Sequence, residues 1–301
     1  MRYTHNSSFL MLAVLSVVAN GGCQSQRNFK SPDDAVVALN DAVQRQDVKE
    51  LHRLFGPRVD ELKSGDPDMD KDDMIIFARR LTTECNVQQD SPDHVTLLIG
   101  EEQWPFAVPL TKDGQAWRFD TDAGIDETTN RRIGRNERLT IEACRTFIDA
   151  QVEYFARDPD GSGVQHYAAK VMSTEGAKDG LYWPVTGNED PSPIGPVLAY
   201  AAVRKESSGQ FIPFNGYFYR LVTNQGATAP GGAMDYLVDG KLTRGWAAVA
   251  YPAKYGESGI MSFLFGSTGV IYQQDLGNDT SSATVQITVF DPGPDWTPVE
   301  N

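Results

Sequence analysis

The clearest periodic segment of the chain lies between residues 136 and 157. Apolar residues return there at steps of three and four, which places them on one face of a 3.6-residue helix. These residues are Ile141, Cys144, Ile148, Val152 and Phe155. Asn136 is a suitable N-cap, because its side-chain oxygen can accept from first-turn amides. Pro159 lacks the amide hydrogen that helix continuation needs. We therefore predict a long core helix that starts at Asn136 and stops before Pro159.

Upstream of this segment, the pattern changes from helices to strands. Ser31 followed by Pro32 is a helix start, and further helices are predicted over Val48 to Phe55 and from about Lys71 to Glu84. Lys112-Asp113-Gly114 then predicts a hairpin turn. Helices followed by an antiparallel meander are typical of a small α+β domain, predicted here over residues 31–120. Its predicted strands are 95–99, 106–110 and 115–119.

Downstream, the chain is rich in glycine, with 19 in residues 136–301 against 6 in residues 24–135. A long irregular connection over 158–211 precedes short apolar runs that are nearly continuous, which predicts an antiparallel sheet covered on both faces, with the long helix on one. We predict α+β architecture throughout, with a linker at 121–135, a helix-plus-sheet domain at 136–290 and an exposed tail at 291–301. The predicted strands of the second domain are 216–222, 245–251, 260–265, 270–274 and, more weakly, 284–290.

The charge balance narrows the classes of partner. The chain has 41 acidic and 27 basic residues, for a net charge of −14. Binding to nucleic acid needs clustered Lys and Arg against phosphates, so we expect no nucleic-acid partner. The same charge disfavours electrostatic docking on anionic lipid.

The first residues have the pattern of an export signal. Arg2 is followed by an apolar run from Phe9 to Ala19, and Gly21-Gly22 stand directly before Cys23. Small residues before a cysteine resemble a bacterial lipobox, so we predict a signal peptide over 1–22, lipidation of Cys23 and a tether over 23–30. Because residue 24 is Gln and not Asp, we expect an anchor in the outer membrane, facing the periplasm. Secretion or a soluble periplasmic location, without an anchor, is the alternative.

The loop after the long helix resembles the start of a calcium loop. Asp158, Asp160 and Ser162 alternate along the chain and Gly163 follows them, so oxygen-bearing side chains can converge on a hard cation. The match departs where position 12 is Ala169 instead of a bidentate Glu. We predict a weak calcium site at Asp158, Asp160 and Ser162, with a plain polar turn as the alternative.

Two further sets of residues are candidates for function or for structure. Asp179, Tyr182, Trp183 and, more distantly, Arg220 can form a binding patch, although aromatic residues in such a segment also anchor long loops to a core. Cys85 and Cys144 can form a disulfide in an exported protein. The alternative is that each packs as a small hydrophobic residue.

Several ordered motifs resemble a bacterial family of exported proteins, domain of unknown function 2950, over nearly the whole mature chain. They include Arg132-Ile-Gly-Arg-Asn136, the loop from Asp158 to Gly163, Asp179-Gly-Leu-Tyr-Trp-Pro184 and Gly216-Tyr-Phe-Tyr-Arg220. The resemblance implies export and no established activity. Members often carry Asp at the position of Ser162 and Glu at that of His166, so this chain lacks two carboxylates there. The C-terminal half is also similar to the globular heads of type IV pilin-like proteins.

Two functional hypotheses follow. The sequence has no G-x-S-x-G, H-E-x-x-H, C-x-x-C or P-loop motif, and the mature chain has three histidines in unrelated contexts. The first hypothesis is a non-enzymatic envelope lipoprotein that binds another envelope protein or acts as a scaffold. The second is an envelope hydrolase whose active site lies against the 158–211 loop, near Asp179, Tyr182 and Arg220. Catalytic groups assemble in space, so only a structure separates the two.

Overall fold

A computed structural model describes residues 25–63, 67–185, 187, 189–203, 205 and 211–300. The chain divides into two compact units, the first with residues up to Lys63 and Asp68–Thr121, and the second from Asp122 onward. Both combine helices with antiparallel strands, which confirms the predicted α+β class. The predicted signal peptide and Cys23 lie outside the described residues.

The helices of the first unit begin where the sequence places helix starts. Ser31 caps the first helix, since its hydroxyl oxygen accepts from the amide of Asp34 at 3.2 Å, and Asp47 caps the second through the amide of Glu50 at 3.0 Å. The third helix starts at Pro67, a few residues before the predicted Lys71. The bounds are α1 Pro32–Gln44, α2 Val48–Phe55, a 3-10 turn Val59–Leu62, and α3 Pro67–Thr83.

The sheet of the first unit has the strand order β1-β2-β4-β5, with β3 paired to β2. The predicted strand 106–110 is wrong over residues 106–109, because β3 ends at Pro105 and β4 begins only at Leu110. Pro105 and Pro109 flank this gap, and proline has no amide hydrogen for a ladder. The strand Cys85–Ser91 was not predicted, since its exposed residues show no alternation. The bounds are β1 Cys85–Ser91, β2 His94–Ile99, β3 Trp104–Pro105, β4 Leu110–Asp113 and β5 Ala116–Phe119.

The long helix α4 spans Thr121–Arg157, so the predicted linker 121–135 is wrong. These residues form the first turns of the helix and are supported by local charge pairs such as Arg131 with Glu127 at 2.6 Å. Asn136 is therefore not an N-cap; it is buried in the helix interior. The helix ends before Pro159 as predicted, with Asp158 in the left-handed region at φ 44°.

The second unit is built on a five-stranded antiparallel sheet of order β14-β13-β12-β11-β6. Its four longer strands confirm the main strand predictions, and buried residues on both faces of β11 and β12 agree with a sheet covered on two sides. The bounds are β6 Tyr217–Val222, β11 Ala247–Pro252, β12 Met261–Gly266, β13 Tyr272–Asp275 and β14 Thr297–Pro298. Two small ribbons pair β7 Asn224–Gln225 with β8 Met234–Asp235, and β9 Leu237–Val238 with β10 Lys241–Leu242.

The two faces of this sheet meet different helices. On one face, Tyr219 contacts Phe147 of α4 with ring centroids 6.0 Å apart. On the other face, Arg220 donates to the carbonyls of Thr284 and Ile287 at 2.6 and 2.7 Å. These carbonyls lie at the C-terminal end of α6 (Thr280–Gln286), so the predicted strand 284–290 is wrong over residues 284–286. Arg220 thus supplies donors to carbonyls at the end of the helix, where intrahelical amide donors run out; the Thr284 carbonyl also accepts from the amide of Ile287 at 3.1 Å.

The long connection between α4 and β6 is fastened to the core of the second unit. Leu181, Trp183 and Ile194 are each only 2–3% exposed. A short helix, α5 (Pro196–Val203), follows them. The tail is less exposed than predicted, because β14 extends the sheet and Val299 donates its amide to the carbonyl of Ile271 at 2.8 Å.

Candidate functional site

The loop that follows α4 is held by hydrogen bonds between its own residues. Asp158 accepts from the amide of Gly163 at 2.8 Å and from the hydroxyl of Ser162 at 3.2 Å, while Asp160 accepts from the amide of Ser162 at 3.1 Å. Gly161 and Gly163 have φ of 64° and 71°, which glycine adopts without strain. These contacts build the plain polar turn that was the alternative to a calcium site.

His166 joins this loop, although it entered the sequence argument only as a departure from a family pattern. Its Nε2 lies 3.0 Å from Oδ2 of Asp160, and its Nδ1 lies 3.1 Å from the carbonyl oxygen of Tyr167. One ligand atom from each of Asp158, Asp160 and His166 lies within 4.8 Å of the other two. The potential metal ligands thus include an imidazole nitrogen. The hydroxyl of Ser162 instead donates to Asp158 within the turn.

The positively charged ammonium group of Lys241 lies beside the loop. The Nζ of Lys241 lies 3.2 Å from Oδ2 of Asp160. Burial alone raises the pKa of Asp160, but hydrogen bonds from His166, Ser162 and Lys241 outweigh it and hold that pKa well below its usual range. Asp160 is therefore ionised, and its charge is balanced within the protein. The predicted calcium site stays a prediction, and Lys241 opposes it.

The residues of the predicted binding patch are used separately in internal contacts. Asp179 accepts from the amide and hydroxyl of Thr174 at 2.8 and 2.9 Å and pairs with Lys170 at 2.7 Å. The amide of Tyr182 donates to the carbonyl of Val171, and the carbonyl of Tyr182 accepts from the amide of Ser173, both at 2.8 Å. The aromatic side chains are buried, and Arg220 lies on the sheet face that meets α6. The structure does not assemble these residues into a patch. Tyr182 and Trp183 are buried where they anchor the loop, while Asp179 and Arg220 bond to Thr174, Lys170 and the end of α6.

Cys85 and Cys144 are both free thiols in the structure. Cys85 belongs to β1 of the first unit and is half-buried, whereas Cys144 belongs to α4 and is fully enclosed by the core of the second unit. Burial raises the pKa of both thiols. The predicted disulfide is not formed here, and each cysteine packs as a small hydrophobic residue.

One set of residues missed by the sequence reasoning is a polar clamp on α4, formed by Arg132, Asn136 and Glu137. Arg132 donates to the carbonyl of Glu257 at 3.1 Å, and Asn136 to that of Ser258 at 3.0 Å. Glu137 accepts from the amides of Ile260 and Met261, both at 2.9 Å. Arg132 and Asn136 are four residues apart and share one side of the helix, and Glu137 is the residue that follows. The clamp explains why the polar residues Arg132 and Asn136 occur within a helix that packs on a sheet.

Comparison with known proteins identifies the family. The family model described as "Protein of unknown function (DUF2950)" matches residues 26–299, so this chain belongs to that family. No curated protein and no solved structure matches the chain, so the likeness to pilin-like heads stays a prediction. Among the described residues, every helix is too short or too polar to cross a membrane.

Proposed function

We propose that this member of the family is an exported, lipid-anchored envelope protein that binds another envelope protein or acts as a scaffold. The observation that carries this proposal is that Asp179, Tyr182 and Trp183 of the 158–211 loop make internal contacts. The hydrolase alternative needs the polar and aromatic side chains near Asp179, Tyr182 and Arg220 to converge on a substrate. Instead, these side chains hold the loop and α6 in place.

Two concave surfaces of the second unit are lined by other residues. One, of about 430 Å³, is lined by residues of β7, β8 and the segment 288–289. Another, of about 420 Å³, lies between α4, the β12–β13 turn and the tail. Neither is lined by Asp179, Tyr182, Trp183 or Arg220. The loop residues Leu181, Trp183 and Ile194 are fastened in the core, and a surface held by such anchors suits recognition of a partner.

The predicted location rests on the N-terminal pattern. An export signal before Cys23 and the net charge of −14 support a lipid-anchored protein with a protein partner rather than a nucleic acid. Among the described residues, Gln26 already contacts the first unit, since its side-chain amide donates to the carbonyls of Leu54 and Phe119 at 2.9 and 2.7 Å. Gln26 and Phe29, which lie within the predicted tether 23–30, therefore pack on the first unit.

Fractionation of cells tests the anchor. Cys23→Ser should move the protein from the membrane fraction to the soluble periplasmic fraction, because the thiol that carries the lipid is removed. Cys85→Ser is the matched control and should leave the protein in the membrane fraction. Membrane association that persists in Cys23→Ser would refute the lipoprotein part of the proposal.

Affinity capture tests the binding role. The mature Cys23→Ser protein, immobilised and exposed to detergent extracts of the envelope, should retain a partner in stoichiometric amount. Turnover of ester or cell-wall substrates by the purified protein, lost on the conservative change Tyr182→Phe, would instead establish the hydrolase alternative.

A further inference from the structure

Both ring nitrogens of His166 face hydrogen-bond acceptors. Nδ1 lies 3.1 Å from the carbonyl oxygen of Tyr167, and Nε2 lies 3.0 Å from the carboxylate of Asp160. A neutral imidazole has a single N–H, and when Nδ1 donates it to the carbonyl, the lone pair of Nε2 points at a carboxylate oxygen. The other tautomer donates Nε2–H to Asp160; with Nδ1–H on the Tyr167 carbonyl, Nε2 and the Asp160 oxygen instead offer two ligand atoms to one ion.

The surroundings of His166 suit the tautomer that leaves Nε2 free to bind a metal ion. A histidine that binds a metal through Nε2 commonly donates Nδ1–H to a backbone carbonyl, which fixes the tautomer and the ring orientation. The contact with Tyr167 has this arrangement. The residue is only 8% exposed, and its ring packs against that of Tyr154 with centroids 5.7 Å apart. The imidazole is therefore held in place before any ion arrives.

We propose that Asp158, Asp160 and His166 bind a divalent transition-metal ion of the zinc type. Zn–N and Zn–O bonds of about 2.0–2.2 Å at a tetrahedral angle separate two ligand atoms by about 3.3–3.5 Å. The 3.0 Å contact between Nε2 and Asp160 needs only a small widening to accept the ion. The Asp158 oxygen lies within 4.8 Å of both atoms and supplies the third ligand, and water completes the shell.

The donor set distinguishes this ion from calcium. Calcium takes six to eight oxygen ligands, whereas imidazole nitrogen suits zinc, cobalt, nickel and copper. The loop keeps the spacing of Asp158 and Asp160 that resembles a calcium loop, but His166 adds nitrogen to the set. His166 thus changes the metal that the loop selects.

Lys241 competes with the metal in this proposal. Its ammonium lies 3.2 Å from the Asp160 carboxylate, and its side chain is 32% exposed, so it can turn into solvent when the ion binds. Removal of this charge removes a like-charge neighbour of the ion. Lys241→Met keeps most of the apolar stem and should tighten zinc binding severalfold.

Calorimetric titration of the metal-stripped, mature Cys23→Ser protein with zinc tests the proposal. We expect one zinc ion per chain, and affinities that rise from manganese through cobalt to zinc. His166→Gln and Asp158→Asn should each weaken zinc binding by about tenfold or more. Asp158→Asn retains an acceptor for the amide of Gly163, so it keeps the turn if His166→Gln fails to fold.

Matched controls use the other histidines of the mature chain and the half-buried thiol. His52→Gln, His94→Gln and Cys85→Ser should bind zinc as tightly as the parent protein. Absence of zinc binding, equal affinity in His166→Gln and Asp158→Asn, or tighter binding of calcium than of zinc would each overturn the metal site. The result is independent of the proposed anchor and partner, which fractionation and capture test separately.

Discussion

The polar clamp on α4 provides a sharp test of how the second unit is held together. Oε1 of Glu137 accepts from two successive amides, those of Ile260 and Met261, where β12 begins. Glu137→Ala removes the acceptor for both amides without changing the helical propensity unfavourably. Glu137→Gln keeps a side-chain oxygen in place and removes only the charge.

The magnitude follows from the number and type of the bonds. A hydrogen bond to a charged group contributes about 1.5–3 kcal/mol, and water can reach part of this half-buried site. We therefore expect Glu137→Ala to lower the free energy of unfolding of the second unit by about 3 kcal/mol, and Glu137→Gln by about 1 kcal/mol. For a unit of this size, 3 kcal/mol corresponds to a fall in melting temperature of about 6–12 °C.

Thermal unfolding followed by near-ultraviolet circular dichroism measures this loss. Hydrogen exchange at Ile260 and Met261 reports the same change at the two amides themselves. Glu142, exposed on the same helix, is the matched control, and Glu142→Ala should change stability by less than about 0.5 kcal/mol. If Glu137→Ala melts like Glu142→Ala, the clamp does not stabilise the fold and the reasoning is wrong.

Two further predictions concern the cysteines and Asp179. Under denaturing conditions without reductant, the Cys23→Ser protein should show two titratable thiols, with Cys144 unreactive in the native state because it is fully buried; no free thiol would establish the disulfide. Burial raises the pKa of Asp179, but hydrogen bonds from Lys170 and Thr174 lower it overall. The stability that its carboxylate contributes is therefore present above the unfolded-state pKa of about 3.9 and lost as the pH falls below it. Asp179→Asn should lower the unfolding free energy by about 1 kcal/mol at pH 7, and its melting curve should approach that of the parent protein below about pH 4. A difference that stays constant from pH 7 to pH 3 would contradict this assignment.

Local signals in the sequence determined much of the architecture. Ser31 and Asp47 cap helices because a side-chain oxygen three residues before an amide satisfies it wherever the chain folds. Pro159 ends α4 for an equally local reason, the absence of an amide hydrogen. The apolar runs of β6, β11 and β12 indicated a sheet buried on both faces, since few other structures bury such runs completely.

Tertiary contacts decided the elements that were predicted wrongly. Residues 121–135 are polar and lack a clear apolar stripe, yet they continue α4, whose charged side chains pair along its surface and whose clamp bonds a distant turn. Residues 284–286 have the β-branched composition of a strand, but Arg220 binds the carbonyls at the end of α6 and favours the helix. In both cases, a partner far away in the chain outweighs a weak local preference.

The same distinction applies to the candidate site. The alternation of Asp158 and Asp160 was visible in the sequence, and the turn that it forms depends only on neighbouring residues. The orientation of His166 and the arrival of Lys241 from β10 depend on how the loop packs against the rest of the second unit. Sequence alone therefore located the acidic loop, whereas the folded chain determined which charges surround it and which metal its ligands suit, because ligand geometry is set by long-range packing.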